Sequence, residues 1–256
     1  MAVVDVERDG SVAVVTLRRG AKLNALSAEL ELALGRALAA PDVAGCRALV
    51  LTGEGRAFSA GADIGELGRH DPAATLSYYR TAGAVYEQLG RLSQPTVAAI
   101  HGYCLGGGLE LVLACDFRVV AESTVLGFPE VALGILPSAG GVTRLARAVG
   151  IARAKELALL GERFSAAEAR EHGLVTEVVP DGEALPRALE LAGRLAALPP
   201  LAVAVTKEAI ELSPDASREA SLLIERLAYG LLAGTDDSSE AARAFAEKRE
   251  PRFEGR

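Results

Sequence analysis

Four short segments rich in β-branched residues, each leading into residues spaced for a helix, constrain this chain more than any other feature. The first, "SVAVVTLRR" (11–19), reads as a strand. It precedes "SAELELALGRALAA" (27–40), where Ser27 is placed as an N-cap and Leu30, Leu34, Ala37 and Leu38 recur at helical spacing. "CRALVLTG" (46–53) is a second strand, closed by Gly53, and "DPAATLSYYRTAGAVYEQLGRLS" (71–93) reads as a helix with Pro72 at its start. "PTVAAIHG" (95–102) is a third strand, its proline at a first position where a missing N–H is tolerated. The helix of "GLELVLACD" follows, then a fourth strand, "FRVVAES" (117–123). Strands alternating with helices long enough for crossovers predict an α/β fold with mainly parallel pairing. After "LVTEVVP" (174–180) strand signals stop, and 183–198, 201–212, 218–232 and 237–250 are all helical by spacing. Their apolar faces need cover from the core or from a neighbouring copy of the chain.

The 256 residues are half hydrophobic, enough for a sizeable core. With 27 basic against 34 acidic residues, a formal charge of −7 and no basic run, nucleic acid is not an expected partner. Cys46, Cys104 and Cys115 are odd in number and lack CxxC spacing, and His70, His101 and His172 lack ligand spacing. Neither a disulfide framework nor a metal centre is therefore expected. No uncharged apolar run approaches the length of about 18 residues that reads as a membrane span. "MAVVDVERDG" lacks a signal-peptide shape. The expectation is a soluble, cytoplasmic protein.

Three stretches can carry chemistry. In "HGYCLGGGLELVLACD" (101–116), Gly106, Gly107 and Gly108 precede an apolar helix that holds one carboxylate, Glu110, in its first turn. The first N–H groups of a helix have no intrahelical partner, and glycine lets an electron-rich oxygen approach them closely. The alternative is a tight turn or close helix packing. "GEGRAFSAGADIGEL" (53–67) follows a strand and leads into a short helical pattern at Ala62 and Asp63. An N–H from Ala62 meeting that of Gly107 over one point would make an oxyanion hole; the alternative is an ordinary loop. In "LGFPEVALGILPSAGGVTRL" (126–145), Glu130 is the second carboxylate in an apolar context. Two such carboxylates in a dry cleft can divide acid and base work, or they can be unrelated surface or salt-bridged residues.

"GRAFSAGADIGEL", "GYCLGGGLELVLACD" and "FPEVALGILPSAGGVTRL", in this order, together with "AKLNAL" (21–26) and the terminal "AFAEKREPRFEGR", resemble the crotonase superfamily of enoyl-CoA hydratases and isomerases. The likeness covers essentially the whole chain. It implies an α/β fold, a crotonase-like spiral of repeated ββα units over 1–195, followed by a helical C-terminal trimerisation region over 196–256. It implies a homotrimer or dimer of trimers acting on an acyl-CoA thioester. The N–H groups of Ala62 and Gly107 match the family's oxyanion hole, and Glu110 and Glu130 match the two catalytic glutamates of its hydratases. The segments Ala21, Lys22, Leu23 and Ala60 to Gly65, including Asp63 and Ile64, match positions lining bound CoA. Tyr229, Phe245 and Lys248 match C-terminal positions near the ligand.

The reaction so implied is reversible hydration of a trans-2-enoyl-CoA to a 3-hydroxyacyl-CoA. It needs no metal or redox cofactor, because coenzyme A is part of the substrate and the thioester itself makes the α-proton acidic. A Δ3,Δ2-enoyl-CoA isomerase, which can work with one carboxylate at the Glu130 position, is the alternative within the fold. A non-catalytic CoA-binding scaffold is the alternative outside it. One departure stands out: hydratases usually read PGAGG where this chain reads "PSAGG", so Ser138 adds a Cβ and a hydroxyl at a position that helps place water. The 66–90 region is expected to supply pocket walls. Within it, the helical setting of Tyr78, Tyr79 and Tyr86 favours the core.

Overall fold

The computed structural model describes residues 2–66 and 71–256; His70 and the 67–70 part of the expected pocket wall lie outside the described residues. The chain opens with an antiparallel pair, β1 (Val4–Asp9) and β2 (Val12–Leu17). Only two of the six residues of β1 are apolar, so pattern alone does not expose it as a strand. Then follow α1 (Ala28–Leu38), the short α2 (Pro41–Ala44), β3 (Ala48–Gly53), α3 (Pro72–Arg80) and α4 (Val85–Gly90). The middle of the chain holds β4 (Thr96–Ile100), β5 (Tyr103–Leu105), α5 (Gly107–Leu113), β6 (Phe117–Ala121) and β7 (Val125–Gly127). Next come α6 (Gly141–Leu160, interrupted at Gly150), β8 (Arg163–Ser165), α7 (Ala166–Glu171) and β9 (Glu177–Val179). Four helices complete the chain: α8 (Ala184–Ala196), α9 (Pro200–Leu212), α10 (Arg218–Ala233) and α11 (Asp236–Glu247).

The strands form a six-stranded sheet, β1-β2-β3-β4-β6-β9, and a three-stranded sheet, β5-β7-β8. Every neighbour pair of the large sheet except β1–β2 is parallel. Successive turns of chain give one strand to each sheet. β4 passes into β5 and then α5; β6 passes into β7 and then α6. The earlier turns follow the same path with single bridges in place of the second strand, Leu26 to Ala62 and Ser59 to Cys104. This is the expected spiral of ββα units. The short second strands escape sequence pattern because three residues are too few to show alternation.

Alternation within the strands builds two cores. Leu49, Leu51, Ala98, Ile100 and Val120 face α1, α4 and α5, while Val50, Val97, Ala99, Val119 and Ala121 face the other side. On that second side α8 lays Ala184, Ala188, Ala192 and Ala196, one every four residues, against the sheet. Small side chains at that spacing form one stripe and let the helix axis come close. α9 and α10 bury none of their residues against the rest of the chain.

The expected helix over 71–93 is broken. α3 ends at Thr81 (φ −122°, ψ −99°), and a 3-10 turn leads into α4. The Thr81 hydroxyl donates to the carbonyls of Ser77 and Tyr78, and the chain folds back until Gly83 lies against the Tyr78 ring. A Cβ on Gly83 would sit 2.8 Å from that ring, so glycine is what the turn admits.

Asn24 locks the loops that follow β2 and β3 together. It is fully buried at φ 51°; its amide donates to Glu54 O (2.9 Å) and Ala57 O (2.8 Å), and its Oδ1 accepts from Arg19 N (2.8 Å). Asn24→Ala removes all three bonds and leaves a non-glycine residue in the left-handed region. The expected cost is about 2–4 kcal/mol, from buried groups left unpaired. Urea denaturation checks it; an unchanged midpoint would show that the loops hold without Asn24.

Candidate active site

Glu110 lies in the first turn of α5, where the unpaired N–H groups make the helix end positive. It is buried, and its Oε1 accepts hydrogen bonds from the backbone N–H groups of Ala139 (2.7 Å) and Gly141 (2.9 Å). Burial pushes its carboxyl up to about 7; the two N–H donors and Arg144 act against that, and the charge of Glu130 adds to it. The turn supplying those donors is fixed by Arg144, which donates to Ala139 O (3.0 Å) and pairs with Glu87 (3.0 Å). A Cβ on Gly141 would stand 2.6 Å from both Cγ and Oε1 of Glu110, so the second glycine of "AGG" makes room for the carboxylate.

Glu130 opens a 3-10 turn (Glu130–Leu133) behind Pro129 and is also buried. Its Oε2 is enclosed and has no hydrogen-bond partner among the described residues. Burial holds its carboxyl above the usual range. Its Oε1 lies 2.8 Å from where a Cβ on Gly106 would be, so Gly106 (φ 49°) admits the second carboxylate as Gly141 admits the first. Glu110 on the first turn of α5 and Glu130 on the turn behind Pro129 therefore both lie at the start of α5.

The start of α5 also meets the loop after β3. Leu23 O accepts from Ala60 N (2.9 Å), Gly61 O from Leu26 N (2.8 Å) and Leu26 O from Asp63 N (2.8 Å). These bonds lace residues 21–26 to 60–63. A Cβ on Gly107 would fall 3.7 Å from Ala62 N, 3.2 Å from Leu26 Cδ1 and 3.1 Å from Tyr86 Oη. Among the described residues neither Ala62 N–H nor Gly107 N–H finds an acceptor. Ala62 N thus borders the space that glycine leaves open at position 107.

The remaining residues singled out in the sequence divide. Ala21 and Lys22 are exposed in a 3-10 turn, and Leu23 takes a left-handed conformation (φ 50°) beside Ala60. Asp63 pairs with Arg19 (2.6 Å) and accepts from Gly65 N, so its side chain is engaged in holding the loop; Ile64 is exposed. Ser138 Oγ accepts from the Tyr79 hydroxyl. Tyr229 and Phe245 are 76% and 89% exposed, and Lys248 caps α11 at φ 53°. No hydrogen bond or ion pair among the described residues joins these three to the glutamates. Sequence reading missed Glu31 on α1, which is buried and accepts from Tyr78 Oη (2.8 Å) and Tyr86 Oη (2.9 Å). Of the three tyrosines expected in the core, Tyr86 is buried and Tyr78 and Tyr79 are half-buried.

Comparison with known proteins gives one consistent picture. A sequence model of the enoyl-CoA hydratase/isomerase family matches residues 7–256. The chain is 40% identical to a 2,3-dehydroadipyl-CoA hydratase of Escherichia coli, over 100% of both chains. It is 36% identical to a short-chain-enoyl-CoA hydratase of Clostridium acetobutylicum, over 96% of this chain and 95% of that one. Among solved structures it is similar to an enoyl-CoA hydratase of Bacillus anthracis, with a TM-score of 0.93, 39% identity and coverage of 99% of this chain and 100% of that one.

The position of Glu110 makes its ionisation measurable. Infrared titration of glutamate-labelled protein, with Glu110→Gln as the assigning control, is expected to show the carboxylate forming with a midpoint near pH 7, as burial dictates. Below that pH the protonated form prevails. A midpoint at the ordinary glutamate value would mean that the two N–H donors outweigh burial.

Proposed function

The chain belongs to the enoyl-CoA hydratase/isomerase family, and on that premise we propose that Glu110 and Glu130 divide the acid–base work of reversible syn hydration of a trans-2-enoyl-CoA to a 3-hydroxyacyl-CoA. The observation that carries the assignment is an asymmetry. Glu110 is anchored by two backbone donors, whereas Oε2 of Glu130 is buried with no partner among the described residues. An anchored carboxylate is suited to orienting water, and an unengaged carboxyl oxygen to exchanging a proton with substrate.

The thioester oxygen lies against the N–H groups of Ala62 and Gly107. As the water oxygen bonds to Cβ, electrons of the Cα–Cβ double bond move toward the carbonyl, and those donors stabilise the charge that develops. Glu110 accepts a proton from the water. Glu130, whose protonated form burial favours, gives its proton to Cα. In dehydration the roles exchange. The thioester supplies the activation, so the residues need no further group. The laced segments Ala21–Leu23 and Ala60–Gly65 support the CoA moiety.

The same reading extends to assembly. α10 exposes Leu222, Leu223, Ile224, Leu227 and Leu231. Leu133 and Leu136, in the loop that follows Glu130, are 58% and 59% exposed. Exposed apolar side chains repeated along one helix mark an interaction face. We propose a homotrimer or dimer of trimers, in which a neighbouring copy brings Tyr229, Phe245 and Lys248 toward the ligand. Light scattering at micromolar concentration is expected to return a multiple of three chains; monomer alone would overturn this.

The catalytic assignment is tested with a panel of enoyl-CoA thioesters of different chain length, following the gain of water by mass spectrometry. Glu110→Gln and Glu130→Gln are each expected to lower hydration by about two to four orders of magnitude, with losses that do not add, since both act on one transition state. Wild-type protein that isomerises 3-enoyl-CoA yet hydrates no 2-enoyl-CoA, with Glu110→Gln nearly as active, would replace hydration by isomerisation.

A further inference from the structure

Glu31 is a third buried carboxylate beside the site, and the hydration chemistry does not use it. It sits on the inner face of α1 between Leu30 and Leu34, 3% exposed. Among the described residues it makes no ion pair; its Oε1 accepts both the Tyr78 and the Tyr86 hydroxyl. A carboxylate so buried is costly, and an apolar residue would pack α1 at less expense. What the carboxylate adds is geometric. It gathers two phenols that stand on different elements, Tyr78 on α3 and Tyr86 on α4, across the break at Thr81.

The position of Tyr86 gives that gathering a consequence. Its Oη lies 3.1 Å from where a Cβ on Gly107 would be, in the same space that Ala62 N and Leu26 Cδ1 border. With its proton committed to Glu31, the phenol turns only lone pairs toward Gly107. A thioester oxygen entering that space meets two backbone N–H donors and a fixed neighbour. Without that anchor the ring could shift, and the thioester oxygen would lose the neighbour that fixes its place beside the two donors. Tyr78 is braced in turn by the backbone of Gly83 against its ring and by an edge-to-face contact with Tyr79 (centroids 5.0 Å apart).

We propose that Glu31 is a positioning residue for the oxyanion hole: by accepting both phenolic protons it holds Tyr86 Oη against Gly107 and so fixes where a thioester oxygen sits relative to the N–H groups of Ala62 and Gly107. The inference rests on the thioester reading above, and it assigns Glu31 no contact with substrate.

The test reads the hole directly. Difference infrared spectroscopy on a saturated acyl-CoA carrying a ¹³C-labelled thioester carbonyl reports hydrogen bonding to that oxygen as a fall in stretching frequency, whether or not turnover occurs. Wild type is expected to show the fall. Glu31→Leu is expected to lose part of it and to lower kcat by about 10- to 100-fold, the scale of a small misplacement at the reacting centre, with KM within about threefold, as expected when little uniform binding is lost, and assembly unchanged. Glu31→Gln keeps a carbonyl acceptor and should recover most of both. Tyr86→Phe should resemble Glu31→Leu in the spectrum. If Glu31→Leu does not fold, Tyr86→Phe and Glu31→Gln carry the test. A carbonyl band at the wild-type frequency and near-wild-type kcat in folded Glu31→Leu or in Tyr86→Phe would overturn the proposal; so would a parallel loss of assembly, kcat and KM, which marks a structural role alone. A wild type that shows a Glu31-dependent carbonyl shift but never hydrates an enoyl-CoA would instead overturn the functional reading and leave this inference standing.

Discussion

A carboxylate taken out of water is tolerated only where other groups replace its hydration. Glu110 meets that condition through two backbone donors from one turn, residues 139–141, and most of the site follows from it. The turn can supply both N–H groups only if Gly141 has no side chain and if Arg144 holds the carbonyl side of the turn. α6 must then start where it does, against α5. Burial and these donors pull in opposite directions and leave the carboxyl raised to about 7, which suits the role proposed for it.

The spiral explains why the other parts arrive at the same place. Each turn of chain crosses from the large sheet to the small one before its helix begins, so the loops at these crossings stack on one another. Ala62 belongs to one crossing, Gly107 to the next and Glu130 to the one after. Backbone hydrogen bonds between residues 21–26 and 60–63 tie the first two loops of the stack together, and the Asn24 side chain adds to them. In the proposed reaction, donors held by backbone bonds of this kind would be in place before substrate binds, which is what electrostatic stabilisation of a developing charge requires.

Much of this was legible in the residues. The main strands and the C-terminal helices lie within a few residues of their expected positions, because β-branched runs and helical spacing survive in a single sequence. Ser27, expected as an N-cap, accepts from Leu30 N. Glu110, Glu130 and the glycine run stood out because a charge or three glycines inside apolar sequence breaks the local rule. Other features were hidden. The break at Thr81 depends on Gly83 meeting a tyrosine ring, which helical spacing over 71–93 does not reveal. Glu31, set among leucines on α1, looks like any surface carboxylate until two tyrosines from other helices are seen to converge on it.

The sequence by itself determined the alternation of strand and helix, the sides of the sheet, the caps, and the residue types that chemistry needs. These are local properties, set by side-chain branching, periodicity and the missing Cβ of glycine. Tertiary structure decided which carboxyl oxygen is anchored by two backbone donors, which is enclosed without a partner among the described residues, and which phenol stands against Gly107. Those depend on distances of about 3 Å between residues that lie 21 to 55 positions apart in the chain. No local pattern fixes such distances, because they are sums over the packing of every element in between.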